Sequence, residues 1–406
     1  MVHLIQQRDW ISIMRQQAAI AALTLAAAFC LAIVTTQSAQ AQTFKVLYNF
    51  TGSTDGATPY APLVRDSAGN LYGTTEAGGA SGAGTVFRVS KSGKETVLYS
   101  FTGGVDGANP FAGLLQDAAD NLYGVTAYGG TSGVGTVFKL SKGGKETVLH
   151  NFAGGTADGC YPFGGLLRDT AGNLYGTTED CGASGIGTVF KLSKTGEETI
   201  LHSFAGGTSD GEFPSFTTLL MDANDNLYGV AEQGGAYNLG VVYKLSKAGK
   251  LTVLHSFEGG TGDGCDAFGT PAMDAAGNLY GTANACGSSE VGIVWKVSKK
   301  GKETVLHNFT AGPSDGAEPI AGVIMDAEGN LYGDTYQGGS ANLGTVYKLN
   351  TKGKVTLLHT FTGPGGSYPY SGVLREASGN IYGTTIYGGS GTKCNNGCGT
   401  VWQITK

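Results

Sequence analysis

From residue 43 onward, apolar positions come in short alternating runs, and glycine, aspartate, asparagine and lysine part the runs. One copy shows the order. Gly113-Leu114-Leu115-Gln116 leads into the turn Asp117-Ala118-Ala119-Asp120, then the run 121–126. A glycine-rich loop, the run 136–141, the turn Lys142-Gly143-Gly144-Lys145 and the run 146–152 follow. Runs of four to seven residues rich in β-branched and aromatic side chains predict strands, and no stretch after residue 43 has the 3.6-residue apolar period of a helix. The unit recurs seven times, with a central tyrosine at Tyr72, Tyr123, Tyr175, Tyr228, Tyr280, Tyr332 and Tyr382, spaced 50 to 53 residues apart. A period of this size belongs to propellers and solenoids.

The turns assign neighbours. Asp-x-x-Gly-Asn, as at residues 66–70, and Lys-x-Gly-Lys, as at 91–94, are tight loops of antiparallel hairpins. Strands one and two therefore pair, as do three and four. Longer glycine-rich links join strand two to three and strand four to the next copy. The ends are out of phase with the unit: residues 45–50 read as a lone fourth strand, and the chain ends on a third strand at 400–405. Joining them removes an exposed edge. The reading is an all-β, seven-bladed β-propeller of four antiparallel strands per blade, its last blade closed by the N-terminal strand. The blades fall near 59–101, 110–152, 162–204, 214–257, 268–309, 319–361 and 369–406 with 44–50.

Residues 1–41 stand apart. Arg8 and Arg15 precede an apolar run from Ala18 to Val34, and Ser38-Ala39-Gln40-Ala41 offers small residues at a cleavage site. This predicts a secretory signal peptide cleaved after Ala41, with an uncleaved anchor as the competing reading. The leader holds Arg8, Arg15 and Asp9, so the formal charge of −6 for the whole chain becomes −7 for residues 42–406. That balance speaks against nucleic acid or an anionic membrane as partner. Cys160 and Cys181 lie 21 apart at the same repeat positions as Cys265 and Cys286, and Cys394 and Cys398 share one loop. Three local disulfides are expected, Cys160–Cys181, Cys265–Cys286 and Cys394–Cys398, in an oxidising compartment: extracellular, cell-surface or periplasmic. The pairs sit in three blades without histidine beside them, so no metal site is expected there.

The units Asp-Ala-x-Gly-Asn-Leu-Tyr-Gly-Thr-Thr, Gly-x-Gly-Thr-Val-Phe-Lys-Leu-Ser and Thr-Val-Leu-His-Ser-Phe resemble the Gloeobacter/Verrucomicrobia tandem-repeat family of secreted or surface bacterial proteins, over residues 44–406. The resemblance implies export and a repeat scaffold, and it brings no catalytic residues.

Candidate chemistry is weighed against the repeat. His150, His202, His255, His307 and His359 occupy one position on the fourth strand, with Tyr48 and Tyr99 as equivalents. One per blade at the rim is a structural placement, too dispersed to share a metal. The series Asp66, Asp117, Asp169, Asp222, Asp274, Asp326 and Glu376 starts a hairpin turn. Asp55, Asp106, Asp158, Asp210, Asp263 and Asp315 precede glycine in the long link and are expected to cap it, with calcium as the sharper alternative. The glycine loops run strand to strand and lack the helix end of a phosphate loop. An aromatic before strand one, Tyr60, Phe111, Phe163, Phe216, Phe268 and Tyr370, with Ile320 in the sixth copy, is expected to pack between blades rather than ring the channel mouth.

The copies diverge just after strand two, at Glu76, Tyr128, Glu179, Asp180, Glu232, Gln233, Asn284, Tyr336, Gln337 and Tyr387. The link before strand one adds Tyr161, Glu212, Asp266, Glu318 and Tyr368 on the same face. The expectation is a secreted, monomeric, cofactor-free scaffold that binds a glycan or peptide through Glu76, Tyr128, Glu179, Asp180, Glu232, Asn284, Tyr336 and Tyr387. A polysaccharide hydrolase or lyase using the carboxylates of this face is the alternative.

Overall fold

A computed structural model describes residues 42–405, and the expected leader at 1–41 lies outside the described residues. Residues 43–405 form seven four-stranded antiparallel sheets, with no helix among the described residues. The first blade has strands Val64–Arg65, Leu71–Thr75, Thr85–Val89 and Glu95–Ser100, paired in that order. The next five repeat it. In the seventh, Leu374–Arg375, Ile381–Thr385 and Thr400–Thr405 are completed by Thr43–Asn49. That strand runs antiparallel to the third, from Thr43 opposite Thr405 to Asn49 opposite Thr400. The chain is a seven-bladed propeller closed by its own N-terminal strand.

The ring is held by its junctions. Seven clusters of buried side chains each span two neighbouring blades. The cluster joining last to first contains Phe50, Leu63, Phe87, Tyr382 and Val401. Each is built on a fourth-strand phenylalanine against a third-strand aromatic of the next blade, as Phe50 on Phe87 at 5.0 Å and Phe204 on Tyr243 at 5.3 Å, both edge-on. The glycine after the central tyrosine exists for these rings. A Cβ on Gly73 would stand 2.7 Å from Phe87 Cζ, and one on Gly229 would stand 2.6 Å from Tyr243 Oη. Gly73→Ala should therefore lower stability by about 2 kcal/mol through overpacking, measured by urea unfolding. An unchanged midpoint would show that the ring of Phe87 moves aside freely.

Both aspartate series have defined partners. Asp66 accepts from Asn70 N (2.8 Å), Asn70 Nδ2 (2.7 Å) and Tyr72 Oη (3.0 Å), so the central tyrosine clamps its own turn. Asp55 accepts from Thr51 N and Ser53 N, which is the expected capping, and from Tyr48 Oη at 2.9 Å. In other blades the histidine takes the tyrosine's place: His202, His255 and His307 reach Asp210, Asp263 and Asp315 at 2.9–3.1 Å. The seventh copy has Gly365-Gly366 instead of the aspartate. There His359 stacks on Phe44 at 3.6 Å, and burial pushes its pKa down to about 4.

One side chain breaks the interior pattern. Thr74, Thr282 and Thr384 on strand two donate across to carbonyls of the following blade, at Ala112, Ala321 and Pro59. The sixth blade has Asp334 at this position. It is 1% exposed, and its Oδ2 has no hydrogen-bond partner.

Candidate functional site

The three expected disulfides are present, Cys160–Cys181, Cys265–Cys286 and Cys394–Cys398. They brace the face that carries the long links, and they fit an extracellular or periplasmic compartment. Among the described residues no helix is long and apolar enough to cross a membrane.

On this face the link before strand one pairs with the chain leaving strand two in every blade. It forms short ladders such as Gly159–Cys160 with Asp180–Cys181, or single bridges such as Ala108 to Tyr128 and Ser367 to Tyr387. Just past each ladder one residue of the link adopts the left-handed conformation: Thr58, Asn109, Tyr161, Phe213, Asp266, Glu318 and Tyr368, with φ of 52–58°. None is glycine. The backbone demands the turn, because each amide donates to the preceding blade, as Thr58 to Cys398 O and Tyr161 to Val134 O. The carbonyl of the same residue accepts from the end of strand two, as Glu179 N to Tyr161 O and Tyr336 N to Glu318 O. Each blade thereby presents two side chains together: Thr58 with Glu76, Asn109 with Ala127, Tyr161 with Glu179, Phe213 with Glu232, Asp266 with Asn284, Glu318 with Tyr336, and Tyr368 with Ile386.

This register sorts the sequence candidates. Glu76, Glu179, Glu232, Asn284 and Tyr336 are equivalent. Tyr128, Asp180 and Tyr387 stand one residue later, within the ladders. Ring contacts still tie them to the wall. Tyr128 meets Tyr161 at 5.5 Å, Tyr336 meets Tyr368 at 4.8 Å, and Tyr368 meets Tyr387 at 6.1 Å.

The floor corrects one expectation. The aromatics before strand one do not pack between blades; they converge on the axis. Tyr60 touches Phe111 and Tyr370, and Phe111 touches Phe163, at 5.1–5.2 Å. Phe216 of the fourth blade reaches Phe111 of the second at 6.5 Å and Tyr370 of the seventh at 5.9 Å, across the channel. That reach comes from one extra residue. The other aromatics stand two places after the left-handed residue; in the fourth blade Ser215 takes that place and Phe216 follows, itself at φ 51°. The added backbone length carries Phe216 to the centre, while Ser215 Oγ turns back toward Phe213 O at 3.5 Å. Beneath the plug lies an axial cavity of ≈460 Å³ lined by residues such as Gly113, Gly165, Thr218, Met273, Ile324 and Val373, with no charged side chain in its wall.

The result is a bowl with an aromatic floor and an acidic wall. Its fourteen wall positions hold the carboxylates of Glu76, Glu179, Glu232, Asp266 and Glu318 and no lysine or arginine. Burial, with the charges of Asp180 and Glu232 nearby, pushes Glu179 up to about 7. Burial likewise raises Glu76, which accepts from Thr58 Oγ1 at 3.0 Å. Glu232 is raised by burial and by Asp266, and Asp180 and Asp266 by burial. Tyr370 is pushed up to about 12 by burial and by Glu232, Tyr336 and Glu179, which places wall and floor within one field. The Oδ1 atom of Asn284 is buried without a hydrogen-bond partner.

Sequence reasoning named all five of these wall carboxylates and put them on the long-link side of the blades, where the structure has them. It missed Thr58, Asn109 and Phe213, whose shared property is a backbone angle rather than a residue type. It also passed over the insertion at Ser215, although the 53-residue spacing from Tyr175 to Tyr228 marks that copy as the longest.

The sequence profile of the Gloeobacter/Verrucomicrobia repeat matches residues 32–219, 156–313 and 267–406. Among solved structures the chain is similar to virginiamycin B lyase from Staphylococcus aureus, with 14% identity and a TM-score of 0.58 over 90% of this chain and 99% of that one. It is also similar to the extracellular domain of BT4673 from B. thetaiotaomicron, with 10% identity and a TM-score of 0.51 over 89% of this chain and 40% of that one. At such identities the likeness is one of fold. Comparison with curated proteins finds no match.

Proposed function

For a chain that belongs to the Gloeobacter/Verrucomicrobia repeat family, we propose a binding role in which the bowl of the disulfide-braced face holds a polar ligand, a glycan or a peptide. One observation carries the reading. Seven link positions share a left-handed backbone, yet they carry Thr, Asn, Tyr, Phe, Asp, Glu and Tyr. Glycine takes this conformation without strain and Asn109 and Asp266 with little, whereas Thr, Tyr, Phe or Glu costs about 1 kcal/mol or more. Side chains kept at that cost in five blades, and varied from blade to blade, suit a surface shaped for a ligand. Stacked tyrosines offer flat apolar faces to sugar rings or peptide side chains. The carboxylates favour ligands with amino groups or many hydroxyls. As a secreted protein the chain would meet such ligands outside the cell.

A second reading rests on Glu179. A carboxyl that keeps its proton to near neutrality, beside the charge of Glu232, is the pairing a hydrolase or lyase uses as acid and base. That reading predicts cleavage of the glycan that binds, and its loss in Glu179→Gln.

The binding reading is tested with the tag-free protein on an array of neutral glycans, amino-sugar oligomers and lysine-rich peptides. Replacing Glu179 and Glu232 together by glutamine should weaken capture at least about tenfold, or ~1.4 kcal/mol. For an amine-bearing ligand, affinity should rise between about pH 5.5 and about pH 8, because Glu179 gains its charge through that window. Capture unaffected by the double substitution would place the site elsewhere.

A further inference from the structure

We propose that His150, Asp158 and Glu198 form a zinc site at the outer junction of the second and third blades. The three side chains come from separate pieces of chain. His150 lies on the outer strand Glu146–Asn151, Asp158 in the link that follows, and Glu198 at the start of the next blade's outer strand, Glu198–Ser203. His150 Nε2 stands 3.5 Å from Asp158 Oδ2 and 3.9 Å from Glu198 Oε2, and one ligand atom from each residue fits within a 4.8 Å span. Two ligands about 2.0–2.1 Å from a tetrahedral ion are roughly 3.3 Å apart, so His150 and Asp158 already stand near ligand spacing and Glu198 must move inward by up to about 1.5 Å to close the site. The spacing is too long for a hydrogen bond. The buried Nε2 of His150 has no hydrogen-bond partner; the buried Oε1 of Glu198 has none either, a feature it shares with Glu95, Glu146 and Glu303.

The surroundings orient the donors. Asp158 Oδ2 accepts from Ala153 N and Oδ1 from Gly159 N, both at 2.6 Å, which leaves further lone pairs for an ion. Hydrogen-bonded ligating carboxylates are the usual outer shell of a metal centre. The imidazole packs edge-on against Phe152 at 4.8 Å. Gly159–Cys160, directly after Asp158, is laddered to Asp180–Cys181 and cross-linked there by the disulfide. One imidazole and two carboxylates suit a borderline divalent ion, and three protein ligands leave a position for water.

The other junctions act as internal comparisons. Leu251 and Val355 replace the glutamate beside His202–Asp210 and His307–Asp315, where histidine and aspartate bond directly at 3.0 and 3.1 Å. Tyr48 and Tyr99 replace the histidine beside Asp55 and Asp106. His255, Asp263 and Glu303 repeat the three residue types, but there His255 already bonds Asp263 at 2.9 Å. Only at the His150 junction are all three types present with imidazole and carboxylate apart.

The repeat also supplies substitutions that its own blades tolerate: His150→Tyr, as at Tyr48 and Tyr99, and Glu198→Leu, as at Leu251. Tag-free protein is stripped with chelator and titrated with zinc by calorimetry, and the bound metal is counted. All six cysteines of residues 42–406 are paired in disulfides, so no thiol of that segment competes. Expected is a zinc-dependent rise in melting temperature and the loss of one zinc equivalent in each variant, both of which should melt like the stripped parent in chelator. Calcium at equal concentration should produce neither effect. A zinc count unchanged by both substitutions, or a parent that takes up no zinc, would overturn the assignment. Cobalt(II) loading of the parent gives a check independent of the variants: a tetrahedral N/O spectrum supports the site, and a purely octahedral one contradicts it.

Discussion

Deleting residues 42–50 should turn a closed ring that melts cooperatively into an unstable arc. The strand Thr43–Asn49 supplies the whole outer edge of the seventh blade. Without it, Thr400–Thr405 presents a row of unpaired backbone groups, the kind of edge that recruits another chain. The loss extends inward. Phe50 is 0% exposed and heads the cluster between the last and first blades, while Phe44 stacks on His359 and packs against the cluster between the sixth and seventh. Phe50→Ala alone should cost about 3–5 kcal/mol. The full deletion should abolish a single cooperative melt and shift the protein to dimers or larger species by light scattering. A truncated chain that melts like its parent as a monomer would mean that the seventh blade does not close the ring in solution.

Asp334→Thr should stabilise the propeller, and more at alkaline pH than at acid pH. Burial pushes Asp334 up to about 7, well above the ordinary aspartate value near 3.9. Its folded form therefore holds a proton that the unfolded chain has already lost between about pH 4 and pH 7. For a carboxyl raised on folding, the native state carries no penalty below the unfolded value. Stability then falls as pH rises, and the full cost is reached above the folded value. Three pH units correspond to roughly 4 kcal/mol. Threonine removes the titrating group and restores the hydroxyl that Thr282 and Thr384 use to reach the next blade. Burial also raises Glu95, Glu146, Glu198 and Glu303 to about 7 in the same direction, so the measurement is the difference between variant and parent across pH. A difference that does not grow between about pH 5 and about pH 8 would show Asp334 charged and solvated in the fold.

Several features were legible because they are local and repeated. The alternation in Leu122–Thr126 and Thr136–Leu140 marks two strands, and the glycine turn at 142–145 marks the second of them as antiparallel to the outer strand Glu146–Asn151. The cysteine pairs were legible because equal spacing within a repeat means equal position on a blade. The direction of Tyr60, Phe111 and Phe216 was not legible. Periodicity shows that a residue recurs, while the tilt of the blades decides whether six recurring rings face a neighbour or meet on the axis. The left-handed links were hidden for the same kind of reason. Thr58, Phe213 and Glu318 have no composition in common, and hydrogen bonds to the preceding blade impose their backbone angle.

The strand pattern, the number of blades, the closing strand, the disulfides and the face on which the copies diverge are all written in the residues. Each of these depends on residues close in the chain or equivalent by repeat, so pattern and turn chemistry suffice. What meets what is set by the folded ring. Phe216 plugs the axis, Glu179 and Glu232 from adjacent blades share a field, and Glu198 comes to stand beside His150 of the blade before it. These contacts join residues tens of positions apart. They exist only once seven blades have closed and their twist has brought the outer strand of one against the outer strand of the next.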